Sequence, residues 1–257
     1  MIHWRLAGLA GLALLLATLG AAPAAACPAP SDTLLFHSCW GRGRLAVALL
    51  PEDLPLPEAA PLGHRLVVTG AYTARDSRGD GLAKPVGLFV HRGAVINPNL
   101  GRMDGVLLVD PADGAPELHH RERLALGGRD YDLTVLDQRR AFLAEAAVHG
   151  LSVLQSHLLI VDGRVDVRPR EDAPGFIRRL LFVDAEGFGL YQTRWPETLH
   201  DAARQLASAL APRMALNLDM GSYDYCQRAE EGVEDGCGRL ERDDTGKLSN
   251  LLVLTLE

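Results

Sequence analysis

Aromatic side chains and positive charge are both scarce in this chain of 257 residues. Aromatic residues make up 5% of the sequence, which is too few for the stacked rings that hold single-stranded nucleic acid. The formal net charge is −7, with 33 acidic against 26 basic residues. Such a balance repels the phosphate backbone of nucleic acids and anionic lipid head groups. The composition therefore argues against nucleic acid or an anionic membrane surface as the partner.

Recognisable metal-binding patterns are also missing from the sequence. No HExxH occurs, the nine histidines, His157 among them, are scattered without ligand spacing, and the four cysteines lack the spacing of zinc knuckles. The acidic stretch ERDDTGK lacks the regular oxygen ligands of a calcium loop. We expect no metal site, and the sequence leaves any cofactor unknown.

The first 26 residues have the pattern of a secretory signal peptide. Arg5 precedes an apolar segment from Leu6 to Leu19, and small residues ending in AAA precede Cys27. The apolar segment is too short to favour a permanent membrane span. We expect cleavage after Ala26 and export to the periplasm or beyond. A lipid-anchored Cys27 is the alternative, and it is disfavoured because Ala24 stands where lipoproteins usually carry Leu.

Four cysteines follow the predicted cleavage point: Cys27, Cys39, Cys226 and Cys237. An even number of cysteines in an oxidising compartment indicates two disulfides, although four cysteines allow three pairings. The pairs Cys27–Cys39 and Cys226–Cys237 are predicted because each closes a short local loop.

The rest of the chain alternates short apolar runs with turns. Runs from HRLVVTG to the terminal LSNLLVLTL predict strands, with a hairpin at 184–187 and a second turn at Asp162. Two stretches have helical periodicity: DQRRAFLAEAAVHG, which ends at Gly150, and PETLHDAARQLASAL, with Pro196 in its first turn. Many strands and two helices predict one α+β domain on a mostly antiparallel or mixed β-sheet, with both helices packed on a sheet.

The stretch ALNLDMGSYDYC ends an alternating apolar run in a carboxylate. Asn217 and Asp219 are two positions apart in a strand, so they share one face. A carboxylate followed by Gly221 and Ser222 can present an acid beside free backbone N–H groups, as sites for anions and sugars do. A strand that runs into a solvated turn has the same composition, and these twelve residues alone leave both interpretations open.

Other polar residues interrupt or precede apolar strands. Gln155 and Ser156 lie inside LQSHLLIV, where a polar side chain is unfavourable unless it is paired or faces a cleft. An ordinary outward-facing strand pair is the alternative. Arg178 precedes LLFVDAEG, and its planar guanidinium group matches phosphate oxygens in pairs. A surface arginine is the alternative there, and the neighbouring Arg179 is easily confused with it.

These segments, in this order, resemble the phosphodiester glycosidase family. The resemblance runs from about Leu66 to Leu254 and is carried by KPVGLFVHRGAVIN, LQSHLLIVDGRV, the arginine pair before LLFVDAEG, WPETLHDAARQLASAL and ALNLD. It implies a lead-in over 27–65, a family domain over 66–257, and hydrolysis of a glycosyl phosphodiester.

The resemblance also implies roles for particular residues. It makes Asp219 and Arg178 catalytic, and it places the substrate-binding residues in one cleft: Tyr72, Gln155, Ser156, Asn217, Gly221 and Ser222. Cleaving a sugar–phosphate diester needs a group that binds phosphate, a proton donor or acceptor, and stabilisation of a sugar cation. Arg178 suits the first task and Asp219 the second. The second carboxylate of such a site is not identified, and Asp224 is a weak candidate for it.

Two departures from the family pattern keep a second hypothesis open. Met220 replaces the first glycine after the aspartate, and TGAYTA (Thr69 to Ala74) replaces an Asn-containing, glycine-rich turn. One hypothesis is an exported hydrolase acting on a glycosyl phosphodiester of cell-envelope or extracellular polysaccharide. The other is a catalytically inactive module that binds carbohydrate or envelope on the same fold. Turnover of a sugar-1-phosphodiester distinguishes the two.

Overall fold

A computed structural model describes residues 27–56, 63–75, 81, 83–230 and 233–256, so the predicted signal peptide lies outside the described residues. The described helices are α1 (Leu136–Val148) and α2 (Leu199–Leu210). The described strands are β1 (Leu34–His37), β2 (Gly43–Leu49), β3 (His64–Thr69), β4 (Thr73–Arg75), β5 (Ala83–Pro85), β6 (Phe89–His91), β7 (Ala94–Asn97), β8 (Gly105–Val109), β9 (Pro116–His120), β10 (Leu124–Leu126), β11 (Arg129–Tyr131), β12 (Ser152–Ser156), β13 (Leu158–Val161), β14 (Arg164–Val165), β15 (Arg179–Val183), β16 (Phe188–Gln192), β17 (Met214–Asn217), β18 (Cys226–Glu230), β19 (Val233–Gly236) and β20 (Asn250–Leu256).

These strands form three larger antiparallel sheets, with two small hairpins, β4-β5 and β10-β11. The β15 sheet has the order β1-β16-β15-β17-β13-β14, the β12 sheet β7-β6-β12-β8-β9, and the β20 sheet β19-β18-β3-β20-β2. The predicted α+β fold, with mostly antiparallel sheets and two packing helices, is confirmed. Strands β1 and β2, from the predicted lead-in, pair with β16 and β20 of the later chain.

The main core lies between the three sheets, which all contribute side chains to it. Leu107 of β8, Leu216 of β17 and Leu252 of β20 are fully buried members of this cluster. Burying a side chain of this size stabilises the fold by about 2 kcal/mol. The cluster therefore fixes the three sheets to one another and determines where their strand ends meet.

The helices cover the outer faces of two sheets. Phe142 and Ala146 of α1 pack with Val153 of the β12 sheet, and Ala203 and Leu206 of α2 pack against the β15 sheet. The predicted packing of both helices on a sheet is thus confirmed.

One predicted helix boundary is wrong. Helix α2 does not include Pro196 in its first turn, because Thr198 caps the helix and Leu199 is its first residue. The Thr198 side-chain oxygen accepts a hydrogen bond from the backbone N–H of Asp201 (3.1 Å), which satisfies a donor that the helix leaves free. The predicted end of α1 is confirmed, since Gly150 follows the cap in a left-handed conformation (φ 65°).

Both predicted disulfides are present in the structure. Cys27 bonds Cys39, and Cys226 bonds Cys237. The second disulfide ties the start of β18 to the chain that follows β19, just beyond the end of β17. It therefore restrains the segment that leads away from Asp219.

Replacing Cys226 and Cys237 together by serine is expected to lower the free energy of unfolding by about 3 kcal/mol. The bridge closes a loop with a sequence separation of 11 residues, and losing it returns chain entropy to the unfolded state. Urea denaturation of the double variant beside the wild type measures the loss. An unchanged midpoint would show that this bridge contributes nothing to stability.

Within the described ranges, no helix is both long enough and apolar enough to cross a membrane.

Candidate functional site

The candidate site lies where β17 of the β15 sheet meets the loop that follows β3 of the β20 sheet. The backbone N–H of Asp219 donates to the carbonyl of Gly70 (3.0 Å), so the two strand ends are joined directly. The segment 70–73 then runs across the end of β17. Side chains from both sheets can therefore face one another at this junction.

Asp219 is held by two backbone hydrogen bonds. Its Oδ2 accepts from the N–H of Thr73 (3.1 Å) and its Oδ1 from the N–H of Met220 (2.9 Å). The residue is 5% exposed. Burial raises the pKa of its carboxyl group to about 6, although the two backbone hydrogen bonds act in the opposite direction. A carboxyl group with this pKa can exchange a proton close to neutral pH.

The raised pKa of Asp219 makes stability depend on pH with a defined sign. The folded protein holds the proton up to about pH 6, whereas the ordinary pKa is 3.8, so protonation favours the folded state. The contribution of Asp219 to the free energy of unfolding is expected to be fully present below about pH 4 and to fall by about 3 kcal/mol as the pH rises through 6. Asp219→Asn removes the titrating group. Denaturation of both proteins across this range tests the prediction, and parallel pH profiles would contradict it.

Tyr72 and Asn217 contact each other beside Asp219. The Nδ2 of Asn217 donates to the hydroxyl oxygen of Tyr72 (2.6 Å) and to the carbonyl of Leu218 (2.9 Å). The Oδ1 of Asn217 is buried and has no hydrogen-bond partner among the described residues. Burial, followed by the charge of Asp219, raises the pKa of Tyr72 to about 12. The phenol is therefore neutral at physiological pH, and the amide oxygen is an unused acceptor.

Arg178 and His157 also lie near Tyr72. The Arg178 guanidinium donates from Nε to the carbonyl of Glu197 (3.0 Å) and from Nη2 to that of Pro174 (3.1 Å). The His157 ring meets the Tyr72 ring edge-on, with centroids 5.8 Å apart. Burial lowers the pKa of His157, and the charge of Arg178 adds to this against the opposing charge of Asp104. His157 is thus a neutral imidazole within the electrostatic reach of Arg178.

The side chain of Gln155 is hydrogen-bonded to the loops around Leu88 and Gly101 rather than to the residues around Asp219. Its Oε1 accepts from the N–H groups of Leu88 (3.1 Å) and Gly101 (2.7 Å), and its Nε2 donates to the carbonyl of Met103. The side chain is fully buried, and these bonds use its amide to hold two loops together. Its hydrogen bonds therefore account for a polar residue inside an apolar strand without a ligand.

Ser156, the next residue of β12, is hydrogen-bonded to the end of β17. Its hydroxyl donates to the backbone carbonyl of Asn217, and it is fully buried. This bond fixes the position of Asn217 at the end of β17.

Gly221 and Ser222 begin the turn that follows Asp219. Gly221 has φ +80°, and a Cβ there would meet nothing within 4 Å, so the backbone conformation rather than space favours glycine. The short 3-10 helix Gly221–Tyr223 leaves Ser222 exposed. The structure therefore places both residues beside the site, with Ser222 facing solvent.

The residues that hold the 70–73 loop had no role predicted from the sequence. The Asn250 Oδ1 accepts from the N–H of Ala71 (2.7 Å), and its Nδ2 donates to the carbonyl of Ala71 (3.2 Å). The hydroxyl groups of Thr73 and Ser249 are 2.9 Å apart. The sequence signal that could have indicated these contacts is the polar pair Ser249 and Asn250 in LSNLLVL, at the start of an apolar strand.

Arg179 and Asp224 form a buried ion pair beneath the site. The Nη2 of Arg179 is 3.2 Å from Oδ1 of Asp224, and Arg179 is fully buried. Nη2 also donates to Gln192 (2.6 Å) and Nη1 to the carbonyl of Tyr225 (3.2 Å). Arg179 therefore links the β15 sheet to the start of β18. Asp224, the sequence candidate for a second carboxylate, is occupied by this pair.

Comparison with known proteins finds no matching family model and no matching curated protein. Among the solved structures that are similar in overall fold, two share 12% identity with this chain. One is the zebrafish N-acetylglucosamine-1-phosphodiester alpha-N-acetylglucosaminidase catalytic domain auto-inhibited by its pro-peptide (TM-score 0.46, covering 86% of this chain and 74% of that one). The other is a hypothetical protein from Synechocystis (TM-score 0.45, 84% of this chain and 57% of that one). Both likenesses are distant, so the functional argument depends on the residues of the site.

Proposed function

We propose that this protein is an exported hydrolase that cleaves a glycosyl phosphodiester in cell-envelope or extracellular polysaccharide. The observation that carries the proposal is the convergence at one junction of Tyr72, Asn217 and Asp219, with Arg178 and His157 beside them. Cleaving a sugar–phosphate diester needs a group that binds phosphate and a group that transfers a proton, and Arg178 and Asp219 are residues of these types. The motif resemblance of the sequence supports the same class of reaction.

Arg178 supplies the charge that a phosphodiester requires. Two of its nitrogens are held by backbone carbonyls, which fixes the plane of the guanidinium group. A fixed guanidinium group binds phosphate oxygens at little further cost in side-chain entropy. The neighbouring Tyr72 and His157 are neutral, so the positive charge of Arg178 remains available to the phosphate.

Asp219 supplies the acid–base function. Hydrolysis breaks the bond between the anomeric carbon and the phosphate oxygen, adds water at that carbon, and releases a sugar and a phosphate monoester. The ionised Asp219 carboxylate takes a proton from the attacking water or stabilises the positive charge that develops on the sugar. In this proposal the Oδ1 of Asn217, which is buried and has no partner among the described residues, accepts a hydrogen bond from a sugar hydroxyl group.

Export is supported by the signal-like first 26 residues and by the two disulfides. Disulfides persist in oxidising compartments and are rare in the cytosol.

A binding module without catalysis is the second candidate function. It is favoured by the environment of Asp219, whose two carboxylate oxygens both accept backbone hydrogen bonds in a nearly inaccessible position. A carboxylate that only anchors the 70–73 loop would have the same contacts.

The deciding experiment is a turnover screen of the wild-type protein against sugar-1-phosphodiesters, with aryl glycosides of the same sugars as controls. The proposal expects release of free sugar from at least one phosphodiester and much slower release from its aryl glycoside, which lacks the group that Arg178 binds. Saturable binding of the phosphodiesters without any turnover would instead establish the binding module.

A further inference from the structure

A second concave site lies at the other end of β3 and β20. Arg44 of β2, Thr255 of β20 and Arg65 of β3 are cross-strand neighbours, and together with Arg92 and Ser152 they line a cavity of about 310 Å³. We call this cavity the arginine groove. Thr69, where β3 ends near the candidate site, is four residues from Arg65, which corresponds to about 13 Å along a strand. The arginine groove is therefore separate from Asp219.

The charge of the arginine groove is opposite to that of the protein. Among the described residues its lining includes three arginines and no acidic side chain, although acids outnumber bases in the whole chain. Arg44 donates to the carbonyls of Pro111 (3.2 Å) and Ala112 (3.0 Å), and within the described part of the chain it has no ion pair. Such a lining favours an anion.

The other two arginines have acidic partners outside the lining. Arg65 pairs with Glu234 at 2.8 Å. Arg92 is 3.4 Å from Asp53, which also contacts His91 at 2.9 Å. One carboxylate thus serves both His91 and Arg92, whose side chain is 64% exposed. Arg44 and Arg92 are the guanidinium groups best placed to accept a new anionic partner.

The remaining lining of the arginine groove is apolar. Leu45, Val47, Val109 and Val253 contribute to its walls. A cavity of this size, with an apolar wall and a few convergent polar groups, suits a small organic ligand. We propose that the arginine groove binds an organic anion consisting of a carboxylate or phosphate head group on a short aliphatic chain. The guanidinium groups hold the head group, and the apolar wall covers the chain.

Calorimetric titration of the full chain tests this proposal with four probes: octyl phosphate, octanoate, inorganic phosphate and octyltrimethylammonium, each below its micellar concentration. We expect saturable binding of at least one octyl anion, about tenfold or more tighter than inorganic phosphate, because the chain adds apolar contact. The cation should not bind. Tighter binding of octyl phosphate identifies a phosphate head group, and tighter binding of octanoate a carboxylate. Equal binding of cation and anions, or no saturable binding, overturns the proposal.

Variants locate the binding within the molecule. Arg44→Gln and Arg92→Gln should each weaken binding of the octyl anion about five- to tenfold, since each removes a charge-assisted contact. Arg140→Gln, at an exposed arginine of α1, is the matched control for a change of net charge and should leave binding unchanged. Arg178→Gln separates this site from the candidate hydrolase site. Binding that is lost in Arg178→Gln and kept in Arg44→Gln would place the anion at the hydrolase site and contradict the proposal.

Discussion

Replacing Arg179 by methionine is expected to lower the free energy of unfolding by about 3 to 5 kcal/mol. The change leaves the Asp224 carboxylate buried without its partner and removes the donors to Gln192 and Tyr225. Arg178→Met should cost about 1 kcal/mol or less, because that side chain is half-buried and its bonds go to backbone carbonyls near the surface. Two adjacent arginines thus differ sharply in their structural importance.

Urea denaturation of the two variants beside the wild type measures this difference. A third protein, Arg179→Met with Asp224→Leu, removes both buried charges and should regain part of the lost stability, since an unpaired buried charge costs more than an absent pair. Equal losses in the two single variants would show that the Arg179 ion pair does not carry the stability assigned to it.

Replacing Asp219 by asparagine is expected to reduce turnover of a glycosyl phosphodiester by about a hundredfold or more. Such a loss is usual when a group that transfers a proton in the transition state is removed. The amide has nearly the same shape and keeps an acceptor for one of the two backbone N–H donors, so the fold should persist. Initial rates at saturating substrate, with circular dichroism as a check on folding, measure the effect.

Two further variants give this measurement its controls. Asp162→Asn makes the same chemical change in the exposed turn between β13 and β14, at a residue to which no role is assigned, and should leave the rate unchanged. Arg178→Ala should weaken binding and rate together, because phosphate charge is present in the ground state and the transition state alike. A rate for Asp219→Asn equal to the wild-type rate would exclude a catalytic role for Asp219.

Local patterns in the sequence predicted the secondary structure well. The turn at Asp162 is found as an Asp-Gly hairpin with φ values of 49° and 75°, and the hairpin at 184–187 joins β15 to β16. Both depend on contacts between residues close in sequence. The start of α2 was placed too early because Pro196 and Thr198 are both good helix-start residues, and only the hydrogen bond to Asp201 decides between them.

The candidate site was predicted in part. Asn217 and Asp219 both contact the segment 70–73, as their spacing predicted, although β17 ends at Asn217 and Asp219 lies beyond it. The anchoring of that segment by Asn250 joins positions 179 residues apart, and no local pattern reveals such a contact. The same limit applies to Gln155, whose polar character correctly indicated partners but not which loops supply them.

The most direct test of the proposed hydrolysis is to run it in water enriched in oxygen-18 and find the label. A site that uses Asp219 to bring water to the anomeric carbon, with Arg178 on the phosphate, breaks the carbon–oxygen bond. Mass spectrometry should therefore find the label in the released sugar and none in the phosphate monoester. Label in the phosphate would show attack at phosphorus and would contradict the roles proposed for Asp219 and Arg178.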